Sequence, residues 1–281
     1  MLGASLRDHE HNTTSFLGED GVLEEIFRRL NIDAGTFVEV GAMDGIFFSN
    51  TWSLAVRGWS GVAIEANEAA YRCLAQRYRN SRVRTVYQTL ALSGPKGLVA
   101  TLQGEGVNNI DYVNIDVDGI DWDLFEDVAT LSPKVICIEA ASETLAFHRA
   151  DGRTKFRQCA ERLMTRGYCP VWTNGANIIS IRRDIAKSKD LGSDDVEEVV
   201  RILAPGYSAV LLFALRIRRR FWNFPTLQRL YFILRQFKIE RFMRKHSLDP
   251  RKSSLAILPA QGVYAAARVI FQSARGASAQ A

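Results

Sequence analysis

The sequence predicts an α/β fold built on a doubly wound, Rossmann-like sheet, and three observations support this prediction. A strand-like run at residues 37–40 passes directly into a turn marked by Gly41 and Gly45. A second apolar run, residues 61–65, ends in Glu65, an acid placed where Rossmann sheets hold a ribose. Strand-like and helix-like segments then alternate as far as residue 183, which is typical of parallel sheets.

Each element follows from local spacing and turn chemistry. Apolar side chains recur every three or four positions over residues 20–30, which predicts a helix before the first strand. Asn50 and Thr51 are suited to cap a helix that runs to Gly58. The predicted order then continues with strands at 61–65, 83–87, 98–102, 112–117 and 135–139, helices at 68–78, 122–131 and 155–166, and an antiparallel pair at 169–173 and 176–181. The strand at 98–102 is expected at an edge of the sheet.

The composition is that of a globular protein with reduced thiols. The chain has 281 residues, of which 47% are hydrophobic and 24% charged, enough for one large core with an appendage. Its four cysteines form no Cys-x-x-Cys pair, so we predict no metal site and expect a cytoplasmic location. Residues 1–19 lack the features of a secretory signal, and the longest apolar run, 209–215, is shorter than the ~20 residues of a spanning helix.

The turn after the first strand favours a cationic ligand over a dinucleotide. Its glycine spacing is Gly41-x-x-x-Gly45, and Met43 stands where a pyrophosphate site would need a glycine. Glu39 and Asp44 add negative charge, which repels phosphate and attracts an amino group or a sulfonium. S-adenosylmethionine carries both groups and is therefore the predicted cofactor. A strand-to-helix turn without any ligand is the alternative interpretation.

Acidic residues follow several strands on the rim where this cofactor would lie. They are Glu65 after the second strand, Asp116, Asp118 and Asp121 after the fourth, and Glu139 after the fifth. Methyl transfer to oxygen needs an aligned acceptor and a base for the hydroxyl proton, so the predicted catalytic residues include Asp116, Asp118 and Glu139. Asp118 and Asp121 could instead form a turn and cap the next helix. His148 is a further candidate base, because histidine titrates near neutral pH, or else a solvated loop residue.

Several of these segments, taken in order, resemble the FkbM family of S-adenosylmethionine-dependent methyltransferases. The resemblance rests on residues 37–45 followed by Ser49-Asn50-Thr51, on residues 58–67 and 111–119, and on Glu139, and it spans residues 15–183. The family strand Lys-Ile-Asp-Val-Glu-Gly reads Asn114-Ile115-Asp116-Val117-Asp118-Gly119 here, with Asn114 in place of the lysine and Asp118 in place of the glutamate.

The resemblance implies a class I methyltransferase fold and a set of cofactor contacts. Glu39, Gly41 and Gly45 would hold the methionine part, Glu65 the ribose, and Leu92 or Ser93 would lie near the adenine. The cofactor-binding residues that we predict are Glu39, Gly41, Ala42, Asp44, Gly45, Glu65, Ala66, Leu92, Ser93 and Asp116. The implied acceptor is a hydroxyl group of a sugar, a glycan or a secondary metabolite.

The C-terminal third is expected to form a basic helical extension. We predict a lead at residues 1–18, a methyltransferase domain at 19–183 and this extension at 184–281. Residues 216–252 hold twelve Lys or Arg and two acidic residues, a net charge of +10 in a chain whose total is +5. Apolar residues alternate with cations at helical spacing, namely Leu227, Leu230, Leu234 and Phe237. This helix could bind the inner face of an anionic membrane, or it could pack on the core or on a second subunit. Nucleic acid is less favoured, because no binding motif accompanies the charge.

Two other function classes are compatible with the sequence. Asp116-Val117-Asp118 resembles the Asp-x-Asp with which glycosyltransferases hold a metal and a sugar diphosphate. That interpretation leaves Glu39, Gly41 and Glu65 without a role. A non-catalytic adaptor for a membrane or a partner protein is the other class, because a fold does not by itself establish an activity.

Overall fold

The predicted doubly wound sheet is present and has seven strands among the residues that the structure describes. The computed structural model describes residues 6–15, 17–117, 119–140, 152–203, 237–250 and 252–256. The strand order is β3-β2-β1-β4-β5-β7-β6, in which β1 to β5 pair in parallel and β7 runs antiparallel to both β5 and β6. This confirms the predicted α/β fold class with a doubly wound, Rossmann-like sheet. The order reverses between β1 and β4, where open α/β sheets bind their ligands.

The described helices and strands follow the predicted rhythm. The strands are β1 (Thr36–Val40), β2 (Ser60–Glu65), β3 (Val83–Tyr87), β4 (Tyr112–Ile115), β5 (Val135–Glu139), β6 (Tyr168–Thr173) and β7 (Asn177–Arg182). The helices are α1 (Glu19–Leu30), α2 (Trp52–Val56), α3 (Glu68–Tyr78), α4 (Leu98–Gly104), α5 (Asp121–Val128), α6 (Gly152–Thr165), α7 (Arg183–Ser188) and α8 (Val196–Leu203). Short 3₁₀ turns occupy Gly94–Lys96, Ala129–Leu131 and Ser254–Ala256.

The predicted edge strand at residues 98–102 is wrong, because this segment is helix α4. Leu98 and Leu102 lie one helical turn apart, and both are fully buried. Thr101 donates its hydroxyl proton to the Gly97 carbonyl four residues earlier, a contact that helical geometry makes possible. A short apolar run does not by itself distinguish a strand from a buried helix, and here the edge position belongs to β3.

Two hydrophobic layers cover the sheet and decide which side chains reach its polar edge. Alternation along β1 places Phe37 against α1 and α2, whereas Val38 and Val40 pack with α4 and α5 on the opposite face. Glu39 therefore shares the face of Phe37, the side covered by α2. This alternation explains why a carboxylate so near the end of a buried strand is itself buried.

Residues 237–245 are helical and pack on the core through their apolar side. Ile239 and Met243 are fully buried in the same cluster as Trp52, and Phe242 stacks on Trp52 with ring centroids 5.8 Å apart. Lys238 and Arg241 are exposed. Ile239, Phe242 and Met243 therefore face the core, whereas Phe237, which belongs to the predicted apolar stripe, is 66% exposed.

Residues 216–236 and 251 of the predicted basic segment lie outside the described residues, so membrane docking through residues 216–252 stays a prediction. Within the described residues we find no helix with the length and apolarity needed to cross a membrane.

Candidate functional site

A cavity of about 410 Å³ opens across the carboxyl ends of four parallel strands, a size within the ~300–1,000 Å³ range of small-molecule sites. It is lined by residues 39–43 at the end of β1, 64–67 at the end of β2, 88–90 after β3, and Asn114, Asp116 and Val117 at the end of β4. Residues 47–49 close it from the loop before α2, and two apolar side chains near α5, Ile120 and Leu124, complete the lining. The cavity therefore spans the point where the strand order reverses.

The turn after β1 is shaped by close packing against β4. Gly41 has φ +80°, and a Cβ atom at this position would lie 1.8 Å from the Asp116 carbonyl oxygen. The amides of Gly41 and Ala42 both donate to the Ile64 carbonyl at 3.0 Å, which ties the turn to β2 as well. A glycine is thus required because the backbones of β1 and β4 meet there, a reason separate from any ligand contact.

Glu65 is held by two backbone amides at the middle of the cavity. Met43 donates its N–H to Oε2 at 2.7 Å, and Asn67 donates to Oε1 at 2.6 Å. Met43 reaches this position with φ +49°, a left-handed conformation that is uncommon for a non-glycine residue. Each carboxylate oxygen keeps a further lone pair, so the carboxylate can still accept from two neighbouring hydroxyls.

Glu39 lies at the floor of the cavity and is almost completely buried. Thr51 donates its hydroxyl to Oε2 at 2.6 Å, Ser49 donates to both oxygens at 3.0 and 3.1 Å, and the Asn50 amide donates to Oε1 at 3.2 Å. Burial raises the pKa of Glu39 to about 7, although these hydrogen bonds act against the rise. The Thr51 hydroxyl thus binds Glu39 and does not cap α2. The backbone amide of Trp52, at the start of α2, donates to the Ser49 hydroxyl.

The described lining is acidic. Glu39, Glu65 and Asp116 contribute carboxyl groups, and the lining described here contains no Lys, Arg or His. Such a surface disfavours phosphate groups and favours a ligand that carries positive charge. This matches the preference that the turn sequence predicts.

Asp44 and Gly45, predicted as cofactor contacts, face α3 instead of the cavity. The Asp44 carboxylate accepts from the amides of Ile46 and Phe47 and lies 3.1 Å from the Arg77 guanidinium, which is itself buried. Arg77 also donates to the Asp44 carbonyl at 2.6 Å. A Cβ atom on Gly45 would lie 2.8 Å from side chains of α3. Both residues therefore build the loop rather than line the cavity.

The end of the cavity near β3 is lined by residues that sequence reasoning missed. Gln88, Thr89 and Leu90 line it, whereas Leu92 and Ser93 do not, and the Leu92 side chain is 58% exposed. The sequence does indicate residues 88–90 as lining residues, because they directly follow a parallel strand. Ala42 and Ala66, which are also predicted cofactor contacts, line the cavity.

The acids predicted on the rim come together at the ends of β4 and β5. Carboxylate oxygens of Asp116, Asp121 and Glu139 lie within 4.8 Å of one another. Asp121, the first residue of α5, accepts from the amides of Val117 and Gly119 at 2.7 and 2.8 Å, so it stabilises the turn before α5 and does not cap the helix. Asp116 lines the cavity, but Glu139 does not. The other two predicted catalytic residues, Asp118 and His148, lie outside the described residues.

The segment before α1 supports the cavity floor from below. The Asp20 carboxylate accepts from three consecutive amides, those of residues 13–15, at 2.7–2.9 Å. Thr14 in turn donates its hydroxyl to the Ser49 carbonyl at 2.9 Å, and Ser53 donates to Asp20 at 3.1 Å. These bonds fix the loop that carries Ser49 and Asn50 beneath Glu39.

Comparison with known proteins yields only distant structural similarity. No family model matches the chain, and no curated protein matches it. A Staphylococcus aureus protein provisionally named a caffeoyl-CoA O-methyltransferase is 19% identical with a TM-score of 0.42, covering 58% of this chain and 82% of that one. A Streptococcus pneumoniae protein provisionally named a tRNA (m1A22) methyltransferase is 11% identical with a TM-score of 0.37, covering 79% and 98%. Similarity this distant carries no functional argument, and the FkbM resemblance stays a prediction.

Proposed function

We propose that this protein is a methyltransferase that uses S-adenosylmethionine and transfers its methyl group to a hydroxyl of a sugar, a glycan or a secondary metabolite. The observation that carries the proposal is the Glu65 carboxylate, held by the Met43 and Asn67 amides inside a cavity at the reversal point of the sheet. A carboxylate fixed at this position can accept hydrogen bonds from both hydroxyls of a ribose.

The residues present fit this cofactor along the full length of the cavity. With the ribose at Glu65 on β2, the neighbouring strand β3 offers Gln88, Thr89 and Leu90 to the base. On the other side, β1 and β4 offer Glu39 and Asp116 to the positively charged methionine end. Acidic groups at one end and a neutral, partly apolar lining at the other match the polarity of the molecule.

The bound cofactor would supply an activated methyl group, and the chain's own residues would supply alignment and a proton acceptor. In-line transfer needs the acceptor oxygen held opposite the leaving sulfur, which a rigid cavity achieves by orientation. Asp116 is exposed at the end of β4 and lines the cavity, so its carboxylate is placed to take the hydroxyl proton. Glu139, Asp118 and His148 remain candidates for assisting it.

The glycosyltransferase alternative has less support. A sugar diphosphate carries negative charge, and the described lining offers three carboxyl groups and no cationic side chain to receive it. Asp118, the second acid of that motif, lies outside the described residues. The buried Glu39 and the amide-bound Glu65 also have no part in that chemistry. No observation favours a purely non-catalytic adaptor.

Isothermal titration tests the proposal with S-adenosylmethionine, NAD, and a nucleotide sugar with Mn²⁺ as separate ligands. We expect binding of S-adenosylmethionine alone, and about a 10- to 100-fold weaker affinity in Glu65→Ala, because hydrogen bonds to a charged group contribute ~1.5–3 kcal/mol. Glu68→Ala is the matched control, since Glu68 is exposed at the start of α3 and pairs with Arg72 outside the cavity. Unchanged affinity in a folded Glu65→Ala variant would remove Glu65 from the ribose role, and binding of the nucleotide sugar instead would overturn the proposal.

A further inference from the structure

Asn114 is a polar side chain in the cavity to which no role has yet been assigned. It lies within β4, in register with Glu39 on β1 and Cys137 on β5, so the three side chains share one face of the sheet. Only 5% of Asn114 is exposed, and that small part lines the cavity. The ligand-facing edge of β4 therefore includes a neutral carboxamide directly beside the buried Glu39.

The carboxamide oxygen of Asn114 is already occupied within the protein. Asn50 donates from Nδ2 to this oxygen at 2.9 Å, and the Tyr112 hydroxyl donates to it at 3.5 Å. Burial keeps the pKa of Tyr112 well above its usual value, so the hydroxyl retains the proton that it donates. The Asn114 amino group, in contrast, donates to none of the residues that the structure describes. It is left as a hydrogen-bond donor at the cavity wall.

Asn50 shows that this polar pair is incompletely satisfied. The side chain is 97% buried, and its Oδ1 atom has no hydrogen-bond partner among the described residues. Most buried side-chain polar atoms have a hydrogen-bond partner, so an unpartnered buried oxygen requires an explanation, such as a catalytic role or a bound water or ion. Two carboxamides joined by one hydrogen bond thus carry an unused donor and an unused acceptor beside Glu39.

The strand order determines which part of a bound cofactor meets this pair. Adjacent strands are ~4.8 Å apart, so a ligand laid from β3 past β2 and β1 to β4 crosses three such spacings. If Glu65 holds the ribose and residues 88–90 hold the base, the amino-acid end reaches β1 and β4. That end carries an ammonium and a carboxylate, and the latter requires donors. Glu39 and Asp116 offer only carboxyl groups there, and the Ser49 hydroxyl donates to Glu39.

We infer that the Asn114 carboxamide binds the α-carboxylate of the cofactor's methionine moiety, and that Asn50 positions it by holding the amide oxygen. This inference rests on the proposed function and adds a specificity-determining residue to it. A neutral donor is suited to this position, because the ligand end carries both signs of charge. The donor accommodates the carboxylate, while the Glu39 carboxyl group beside it can accept a hydrogen bond from the ammonium.

The test compares S-adenosylmethionine with its decarboxylated analogue, which keeps the sulfonium and the amine but lacks the carboxylate. Titrations use wild type, Asn114→Ala and Asn114→Asp. We expect Asn114→Ala to weaken S-adenosylmethionine at least tenfold and Asn114→Asp to weaken it further, because the new carboxylate repels that of the ligand. The affinity for the decarboxylated analogue should change less than twofold in Asn114→Ala. Gln88→Ala, at the base end, is the matched control and should affect both ligands equally.

Each outcome of these titrations has a distinct meaning. Equal losses for both ligands in a folded Asn114→Ala variant, or no loss for either, would overturn the role of Asn114 while leaving the proposed function in place. A wild-type protein that binds neither ligand would overturn the proposed function itself. Thermal unfolding of each variant establishes that it is folded, and Asn114→Ala serves as the deciding variant if Asn114→Asp does not fold.

Discussion

Replacing Gly41 with alanine tests whether the turn after β1 depends on close contact with β4. A Cβ atom at Gly41 would lie 1.8 Å from the Asp116 carbonyl oxygen, whereas Cβ contacts in proteins stay above 3.0 Å. The two backbones would therefore have to separate by about 1.2 Å. Because this separation widens the reversal point of the sheet, we expect both stability and cofactor affinity to fall.

Gly58 provides the matched control for the magnitude. It also has a left-handed backbone, with φ +87°, but a Cβ atom there would meet no atom within 4 Å. Gly58→Ala therefore incurs only the backbone penalty, about 1–2 kcal/mol of unfolding free energy. Gly41→Ala incurs that penalty and about 1–3 kcal/mol more for the overlap, a total of roughly 2–5 kcal/mol.

Urea unfolding of both variants, with titration of S-adenosylmethionine, measures these quantities. The expected result is a larger loss of stability in Gly41→Ala than in Gly58→Ala, and a loss of affinity confined to Gly41→Ala. Equal unfolding free energies in the two variants, within about 0.5 kcal/mol, would refute the packing argument. Undiminished affinity in Gly41→Ala would show that the turn does not shape the site.

Two further predictions concern buried charge. Arg77→Ala leaves the buried Asp44 carboxylate without its ion pair and should lower the unfolding free energy by about 3–5 kcal/mol. Arg72→Ala removes an exposed ion pair on the same helix and should lower the unfolding free energy much less. Similar urea midpoints for the two variants would contradict this prediction. Burial raises the pKa of Glu39 to about 7 from 4.5, so between these pH values the folded protein keeps a proton that the unfolded chain has released. Protonation of Glu39 therefore contributes fully to the unfolding free energy below pH 4.5, and this contribution is lost as the pH rises through 7. Thermal unfolding between pH 5 and 8 should therefore show a decline that Glu39→Gln reduces, and an identical decline in that variant would assign it to other groups.

Much of the fold could be predicted from the sequence because its signals are local. The α3 limits, the β3 and β5 limits and the antiparallel β6–β7 pair follow from hydrophobic spacing and from residues that begin or end elements. The error at residues 98–102 has a physical cause. Five residues with leucines at both ends fit a short buried strand and one turn of a buried helix equally well, and packing against the sheet decided for the helix.

The candidate site was less predictable, because a cavity wall depends on which strand ends meet. Asp44 and Gly45 stand in the motif that sequence reasoning assigns to the cofactor, yet the loop turns them towards α3, where Arg77 and Tyr78 hold them. Asn114 begins the strand motif that carries the family resemblance, but the resemblance assigns it no cofactor contact. Its place beside Glu39 comes from the register between β1 and β4, which joins residues far apart in the chain.

The amino-acid sequence alone determined the alternating strands and helices, the glycine turn after β1 and the acid at the end of β2, because each depends on neighbouring residues and on backbone geometry. Only the tertiary structure decided which carboxylates line the cavity, that Gly41 is required by the Asp116 carbonyl, and that Ile239 and Met243 lie against the core. These outcomes depend on contacts between distant segments, and the burial and hydrogen-bonding free energy of such contacts exists only when the whole sheet has formed.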